Sequence, residues 1–364
     1  MLKTVLSVDI GTTSLKAGLI TATGEVVFIS KVRFSNPQNR YIANNWKLAL
    51  SNAVRKLRRF VDFSNIQIEG IAVSGNGPTV VTQSGFTLRW NEDFPLSQEE
   101  KSAIGHSLFL PKIVAMKNNF PKEFSSSPLI FSGPEFLIYQ LTDSAITILP
   151  EKRFLPAYWE NEQLALPALN INPAKFPEFV AVGELCGNLS ADAAKVCQLP
   201  VGLPVFAGGP DFVVALIGTG TLENGRLCDR CGSSEGLNFC VDKFITAPGI
   251  RTLPSVITGL WNLSVLIPGS SKMRYEVRLE KIRAGVNLLR KIAAENNIPF
   301  SAFMAVTGGQ TKDPELLEKK AKVTGLNVKV GKCNDCELLG DACAAWKGLG
   351  VYGSLREAAA EILK

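Results

Sequence analysis

The sequence predicts a mixed α/β protein of two lobes. Glycine turns between apolar, β-branched runs open each half of the chain, and strongly periodic helices alternate with those strands. The length of 364 residues suffices for two domains with separate cores. The expected division is an N-terminal lobe over 1–212 and a C-terminal lobe over 213–364.

The N-terminal half opens as a meander. Thr4 to Ile10 is apolar and β-branched, Gly11-Thr12-Thr13 reads as a turn, and Ser14 to Ile20 extends again. Thr23-Gly24 makes a second turn before a third strand from Glu25 to Phe34. Trp46, Leu50, Ala53, Val54, Leu57 and Val61 share one face of a helix over Trp46 to Val61. Ile66 to Ser74 returns as a strand and ends at Gly75-Asn76-Gly77-Pro78. Three antiparallel strands, a helix and a further strand are the opening of a ribonuclease-H-like lobe, although periodicity by itself supports only a mixed α/β assignment.

Residues 85–200 carry weaker signals. Pro111 to Lys117 and Gly133 to Leu141 look helical, a proline-rich irregular stretch follows to Phe179, and Ser190 caps a helix ending at Cys197. A short strand, Pro204 to Ala207, runs into Gly208-Gly209-Pro210-Asp211, and Phe212 to Ile217 is an apolar helix. The second half repeats the grammar of the first. Strands Arg226 to Cys231 and Leu237 to Val241 flank the turn Gly232-Ser233-Ser234-Glu235-Gly236. A long helix covers Val277 to Ala294, and a strand from Ala302 to Thr307 ends in Gly308-Gly309. Helix Asp313 to Thr324, strand Asn327 to Val330 and helix Leu338 to Lys347 follow. Ser354, with Glu357 three residues on, predicts a capping box on the last helix, which runs to Leu363.

Composition removes several function classes. A hydrophobic content of 46% with 20% charged residues is that of an ordinary globular protein. The net charge of +6 is modest, and the densest basic cluster, Arg55 to Arg59, falls on the solvated face of a helix, so nucleic acid is not an expected partner. No secretory leader or membrane-length apolar run is present, and eight cysteines in so long a chain suit reduced thiols, so the expected location is cytoplasmic. The single histidine, His106, leaves carboxylates as the expected acid–base groups.

Four segments can carry chemistry. In Asp9-Ile10-Gly11-Thr12-Thr13-Ser14-Leu15-Lys16 a tight turn exposes backbone N–H groups to phosphate oxygens, with two threonine hydroxyls as further donors. Asp9 can hold a hydrated Mg²⁺ and Lys16 can supply counter-charge; a plain β-hairpin shares the same pattern. Asp211 sits between a glycine turn and a helix, where it suits a general base or a structural N-cap. Gly232-Ser233-Ser234-Glu235-Gly236 matches the nucleophile elbow of serine hydrolases, but no histidine follows residue 106, and a second phosphate-gripping hairpin explains the segment better. Gly308-Gly309 either lets a nucleotide lie against the backbone or is a bare strand-to-helix turn. Cys228-x-x-Cys231 and Cys333-x-x-Cys336 have the spacing of zinc ligands, but the pairs are far apart in the chain.

Taken in order, these segments resemble the FGGY carbohydrate kinases of the actin-like ATPase superfamily. Further stretches are similar as well: Gly70 to Thr79 to the sugar-pocket strand, Gly183 to Gly187 and Leu199 to Val205 to the approach to the catalytic aspartate, and Leu339 to Ala344 to the helix at the lobe hinge. The resemblance implies two ribonuclease-H-like, actin-like ATPase lobes with a central cleft, and phosphoryl transfer there from Mg-ATP to a sugar or polyol. In that scheme Asp211 is the base and Asp9 the Mg²⁺ ligand. Gly11, Thr12, Thr13, Lys16, Gly232, Ser233, Ser234, Gly308 and Gly309 hold ATP, and Asn76, Gly77, Glu92, Asp93 and Asp211 meet the acceptor.

The chain also departs from the family pattern. The stretch between the second hairpin and Gly308 is short, Gly77-Pro78 stands where xylulose kinases carry Met-His, and no arginine follows Glu92 where the family often has one. A catalytically impaired sensor of the same fold and a hydrolytic actin-like ATPase are the competing expectations. The expected partners are a small sugar or polyol and, at most, a second copy of the chain, without nucleic acid or membrane.

Overall fold

The computed structural model describes residues 1–160, 165–232 and 234–364; Ser233, expected in the second hairpin turn, lies outside the described residues. Strands β1 (Leu2–Ile10), β2 (Ser14–Ile20) and β3 (Val26–Arg33) form an antiparallel meander. Helix α1 (Trp46–Phe60) leads to β4 (Ile66–Gly75), which pairs parallel with β1. Thr4 to Ile10 are buried without alternation, as befits a central strand covered on both faces. Helix α1 buries Trp46, Leu50, Ala53, Val54 and Leu57 and exposes Arg55, Lys56, Arg58 and Arg59, which is the solvated basic face expected. It ends at Phe60, so Val61 caps the helix instead of joining its apolar stripe. Two later strands, β5 (Leu185–Asn188) and β6 (Pro204–Pro210), complete the sheet in the order β5-β6-β4-β1-β2-β3.

The second sheet contains β7 (Leu227–Cys231), β8 (Glu235–Val241), β9 (Arg251–Pro254), β10 (Trp261–Ile267), β11 (Phe303–Thr307) and β12 (Asn327–Val330), in the order β9-β10-β8-β7-β11-β12. In both sheets a glycine-turned hairpin has an antiparallel strand next to it on one side and two successive parallel strands on the other, with antiparallel β9 and β5 added at one edge of the second and first sheets. The same ribonuclease-H-like plan is therefore built twice. Strands β9 and β10 are not among the strands expected above; β9 is short and ends at Pro254, whereas β10 places apolar residues at every second position from Trp261 to Ile267 and buries Asn262 between them, its side-chain amide donating to Asn238 Oδ1 at 3.1 Å.

Helix α2 (Asp211–Gly218) leaves β6 directly, α3 (Tyr275–Glu295) and α4 (Pro314–Thr324) belong to the second lobe, and α5 (Cys336–Gly348) and α6 (Leu355–Ile362) close the chain. Leu338, Leu339, Ala342 and Ile362 share one buried core with Val5, Val8 and Ile71, whereas Leu237, Ile282, Val286 and Met304 belong to a second. The polypeptide thus returns to the first core after β12, a crossing that the division at 212/213 does not describe. Helices α2 and α5 meet backbone to backbone: a Cβ at Gly218 would stand 1.9 Å from Cys336 O, and one at Gly340 would stand 1.9 Å from Val214 O. At α6, Ser354 Oγ accepts from Glu357 N as expected, but the Glu357 carboxylate accepts from Gly353 N, so the capping box is half formed. No helix among the described residues is long and apolar enough to cross a membrane.

Candidate functional site

A cavity of about 370 Å³ opens between the sheets, lined by both hairpin turns and by the ends of β4, β6 and β11. The first turn closes through Gly11 N donating to Ser14 O at 2.9 Å. Thr12 Oγ1 accepts from Asn76 Nδ2 at 3.0 Å and from Trp90 Nε1 at 3.1 Å. Both its lone pairs are engaged, which leaves its hydroxyl hydrogen free to donate into the cavity. Thr13 is exposed and outside the lining; its carbonyl accepts from Phe34 N at 2.9 Å and fixes the meander.

Asp9 is buried at the end of β1. Its Oδ2 lies 3.3 Å from Lys16 Nζ, which also pairs with Asp335 at 2.9 Å. Burial would lower the lysine's pKa, but Asp9, Glu337 and Asp335 together hold it above its ordinary value. Asp9 Oδ1 and Glu337 Oε2 are buried without a hydrogen-bond partner. Among the described residues no group of three or more His, Cys, Asp or Glu side chains is arranged to hold a metal ion. A largely hydrated Mg²⁺ needs only one or two carboxylates beside phosphate oxygens, and these orphaned atoms fit that demand. The cysteines of the two Cys-x-x-Cys pairs are free thiols, and the Cys231 and Cys333 thiols donate to backbone carbonyls.

Strand β6 delivers Asp211 to the cavity through two glycines. A Cβ at Gly208 would lie 2.3 Å from Asp341 Oδ1, and Gly209 occupies φ +131° beside a bulge in the β4 pairing. Asp211 is the first residue of α2, after Pro210, so it is not the N-cap that one reading allowed. About 30% of its side chain is accessible, and its Oδ1 lies 3.5 Å from Arg230 of the opposite lobe. Burial raises its pKa; Arg230 opposes that and Glu337 adds to it.

On the second lobe, Gly232 N donates to Ser234 O at 3.0 Å to close the turn, and Ser234 Oγ accepts from Gly269 N at 3.0 Å. Gly308 takes φ +106°, where a Cβ would stand 2.4 Å from Cys231 O, so β11 can approach the hairpin only as glycine. Gly309 is open to the cavity, and the Gln310 side chain donates to Gly232 O.

The cavity therefore brings together Asp9, Gly11, Thr12, Lys16, Asn76, Gly77, Asp211, Gly232, Ser234, Gly308 and Gly309. It does not include Glu92 or Asp93. Glu92 is held by Arg40 at 2.7 Å and Arg89 at 3.2 Å, and the Asp93 side chain is fully exposed beside Lys112. Sequence reasoning missed Arg230, Arg251 and Glu337, which line the same cavity. It also missed Trp90, which lines the cavity and donates to Thr12. His106 is exposed and does not line the cavity.

No protein-family model matches the chain. It is 24% identical to a xylulose kinase of Klebsiella pneumoniae over 306 residues, 75% of this chain and 62% of the relative. It is 23% identical to a xylulose kinase of Staphylococcus xylosus over 262 residues, covering 63% and 53%. With the L-fuculokinase of Escherichia coli K12 the identity is 28% over 256 residues, covering 60% and 53%. The matches thus span between about half and three-fifths of the length of these curated relatives. Among solved structures, the glycerol kinase of Plasmodium falciparum with ADP superposes at a TM-score of 0.78 and 13% identity, covering 100% of this chain and 93% of that one. A ligand-bound xylulose kinase of Lactobacillus acidophilus gives 0.77 at 14% identity, covering 99% and 92%. The chain is a relative of the FGGY carbohydrate kinases and has the two-lobed, actin-like ATPase fold.

Proposed function

We propose that the protein phosphorylates a hydroxyl of a sugar or polyol with ATP. The observation that carries this reading is the sharing of one cavity by two glycine-turned hairpins and a partly accessible carboxylate, Asp211, at the start of a helix. Asp211 takes the proton of the acceptor hydroxyl. The acceptor oxygen forms a bond to the terminal phosphorus, the bridging P–O bond breaks, and ADP leaves with the electron pair. The backbone N–H groups of the hairpins, the Thr12 hydroxyl and Ser234 hold the nucleotide phosphates. Gly309 lies against the nucleoside, and Lys16 balances the carboxylates at the floor. Bound Mg²⁺ would neutralise phosphate charge, with Asp9 Oδ1, and Glu337 beside it, as its protein oxygens.

Asn76 is the proposed acceptor contact; its amide is already oriented by Thr12 and by Thr79 Oγ1, which donates to Asn76 Oδ1 at 3.1 Å. The xylulose of the relatives' names is not carried over, because Gly77-Pro78 stands where the resemblance places the Met-His of xylulose kinases. A panel of sugars and polyols assayed for ADP release with Mg-ATP tests the reading. Acceptor-dependent release is expected. ATP binding without release for any acceptor would favour a sensor, and release independent of acceptor a plain ATPase.

A further inference from the structure

We propose that Arg230 and Arg251 form a two-guanidinium clamp on the second-lobe wall of the cleft, which takes the terminal phosphoryl group of a nucleoside triphosphate; the proposal rests on the kinase reading above. Arg230 stands on β7 directly opposite Gly236 of β8, where no side chain competes for the space, and all three residues, Arg230, Gly236 and Arg251, line the cavity. Arg251 opens β9, and among the described residues no carboxylate lies within salt-bridge distance of it. Burial and the neighbouring Arg230 charge both lower its pKa, as expected for two like charges sharing one wall.

The carboxylate that Arg230 does meet, Asp211, is 3.5 Å away, longer than a charge-assisted hydrogen bond, and Arg230 Nε is buried with no partner. Deeper in the same lobe Arg278 grips Glu235 at 2.6 and 2.9 Å, so short pairing is achieved where the fold requires it. Two under-compensated guanidinium groups on a cavity wall are suited to a polyanion with several acceptor oxygens. Position decides which polyanion. Arg230 borders the carboxylate assigned to the acceptor hydroxyl, so the anion it meets is the group that travels to that hydroxyl. The inner phosphates are left to the hairpin backbones around Gly11 and Gly232.

The test is calorimetric binding of ADP and of the non-hydrolysable β,γ-imido analogue of ATP, with Mg²⁺, to the full chain and to Arg230→Gln, Arg251→Gln and Arg230→Lys. Thermal melts verify that each variant is folded. Each Gln variant is expected to lose about ten-fold or more in affinity for the triphosphate analogue and about two-fold or less for ADP. Arg230→Lys, which keeps the charge without the fork, is expected to fall between wild type and Arg230→Gln. Equal losses for both nucleotides, or none for either, would overturn the clamp while leaving the kinase reading intact. Wild-type protein that bound neither nucleotide would overturn both.

Discussion

Lys320 Nζ lies 2.5 Å from Asp229 Oδ2 and 2.5 Å from Glu235 Oε1, and none of the three side chains is exposed to solvent. Arg278 forks onto the same glutamate, so two cations and two carboxylates lock α3 and α4 beneath the second hairpin. Burial raises the Asp229 pKa to about 6 against the pull of Lys320, and Asp229 Oδ1 has no partner. Lys320→Met leaves a surplus buried negative charge and is expected to cost about 3–5 kcal/mol in chemical denaturation. Removing both members in Lys320→Met with Asp229→Leu restores neutrality and should recover most of that loss. A double variant no more stable than the single one would show that the pairing is not what holds these helices.

Gly308 and Gly309 separate backbone fit from ligand fit. Gly308→Ala puts a Cβ 2.4 Å from Cys231 O at φ +106° and is expected to cost about 1–3 kcal/mol, together with nucleotide affinity, because the hairpin must shift. Gly309 meets nothing within 4 Å, so Gly309→Ala should leave the melting temperature unchanged yet still weaken nucleotide binding. Unchanged affinity in Gly309→Ala would move the nucleoside away from this strand end.

Much of this architecture is legible because it is local. A glycine turn between two apolar runs announces itself within a dozen residues, and so the positions of Asp9, Thr12, Asp211, Gly232 and Gly308 follow from the sequence. Arg230, Arg251 and Glu337 carry no such signature. Each stands in or beside an ordinary strand or helix and acquires meaning only when the lobes face one another. Glu92 shows the converse: its place in a motif suggested the acceptor, but Arg40, far back in the sequence, folds onto it and takes its carboxylate. Strand β9 offers only four residues ending in a proline, too little for a period to show, whereas β10 does alternate, with Trp261, Leu263, Val265 and Ile267 at every second position, and was legible in principle.

Trp90→Phe isolates the donor that Thr12 receives. An aromatic ring stays, but the pyrrole half of the indole goes with the 3.1 Å bond from Nε1, so one Thr12 lone pair keeps the Asn76 amide and the other loses its donor. The expected cost is about 0.5–1.5 kcal/mol of transition-state stabilisation, seen in kcat/KM for the acceptor with little change in melting temperature. An unchanged kcat/KM would mean that the Thr12 hydroxyl needs no such orientation.

The acid side of the pH–rate profile tests Asp211 through its neighbours. Only the ionised carboxylate can accept the acceptor's proton, so activity rises as pH climbs through the Asp211 pKa, which burial raises above the ordinary carboxylate value. Arg230 lowers that pKa and Glu337 raises it. Arg230→Gln should therefore move the acid limb of kcat/KM to higher pH, whereas Glu337→Gln should move it to lower pH. Opposite displacements from two neutralising substitutions are hard to obtain from general structural damage, which lowers the whole profile without moving its limb. Asp211→Asn should lower kcat by about 10²–10⁴ with nucleotide affinity nearly intact. If instead the limb stayed fixed in both neighbour variants, the titrating base would have to be another carboxylate of the cleft, with Asp9 the first to substitute.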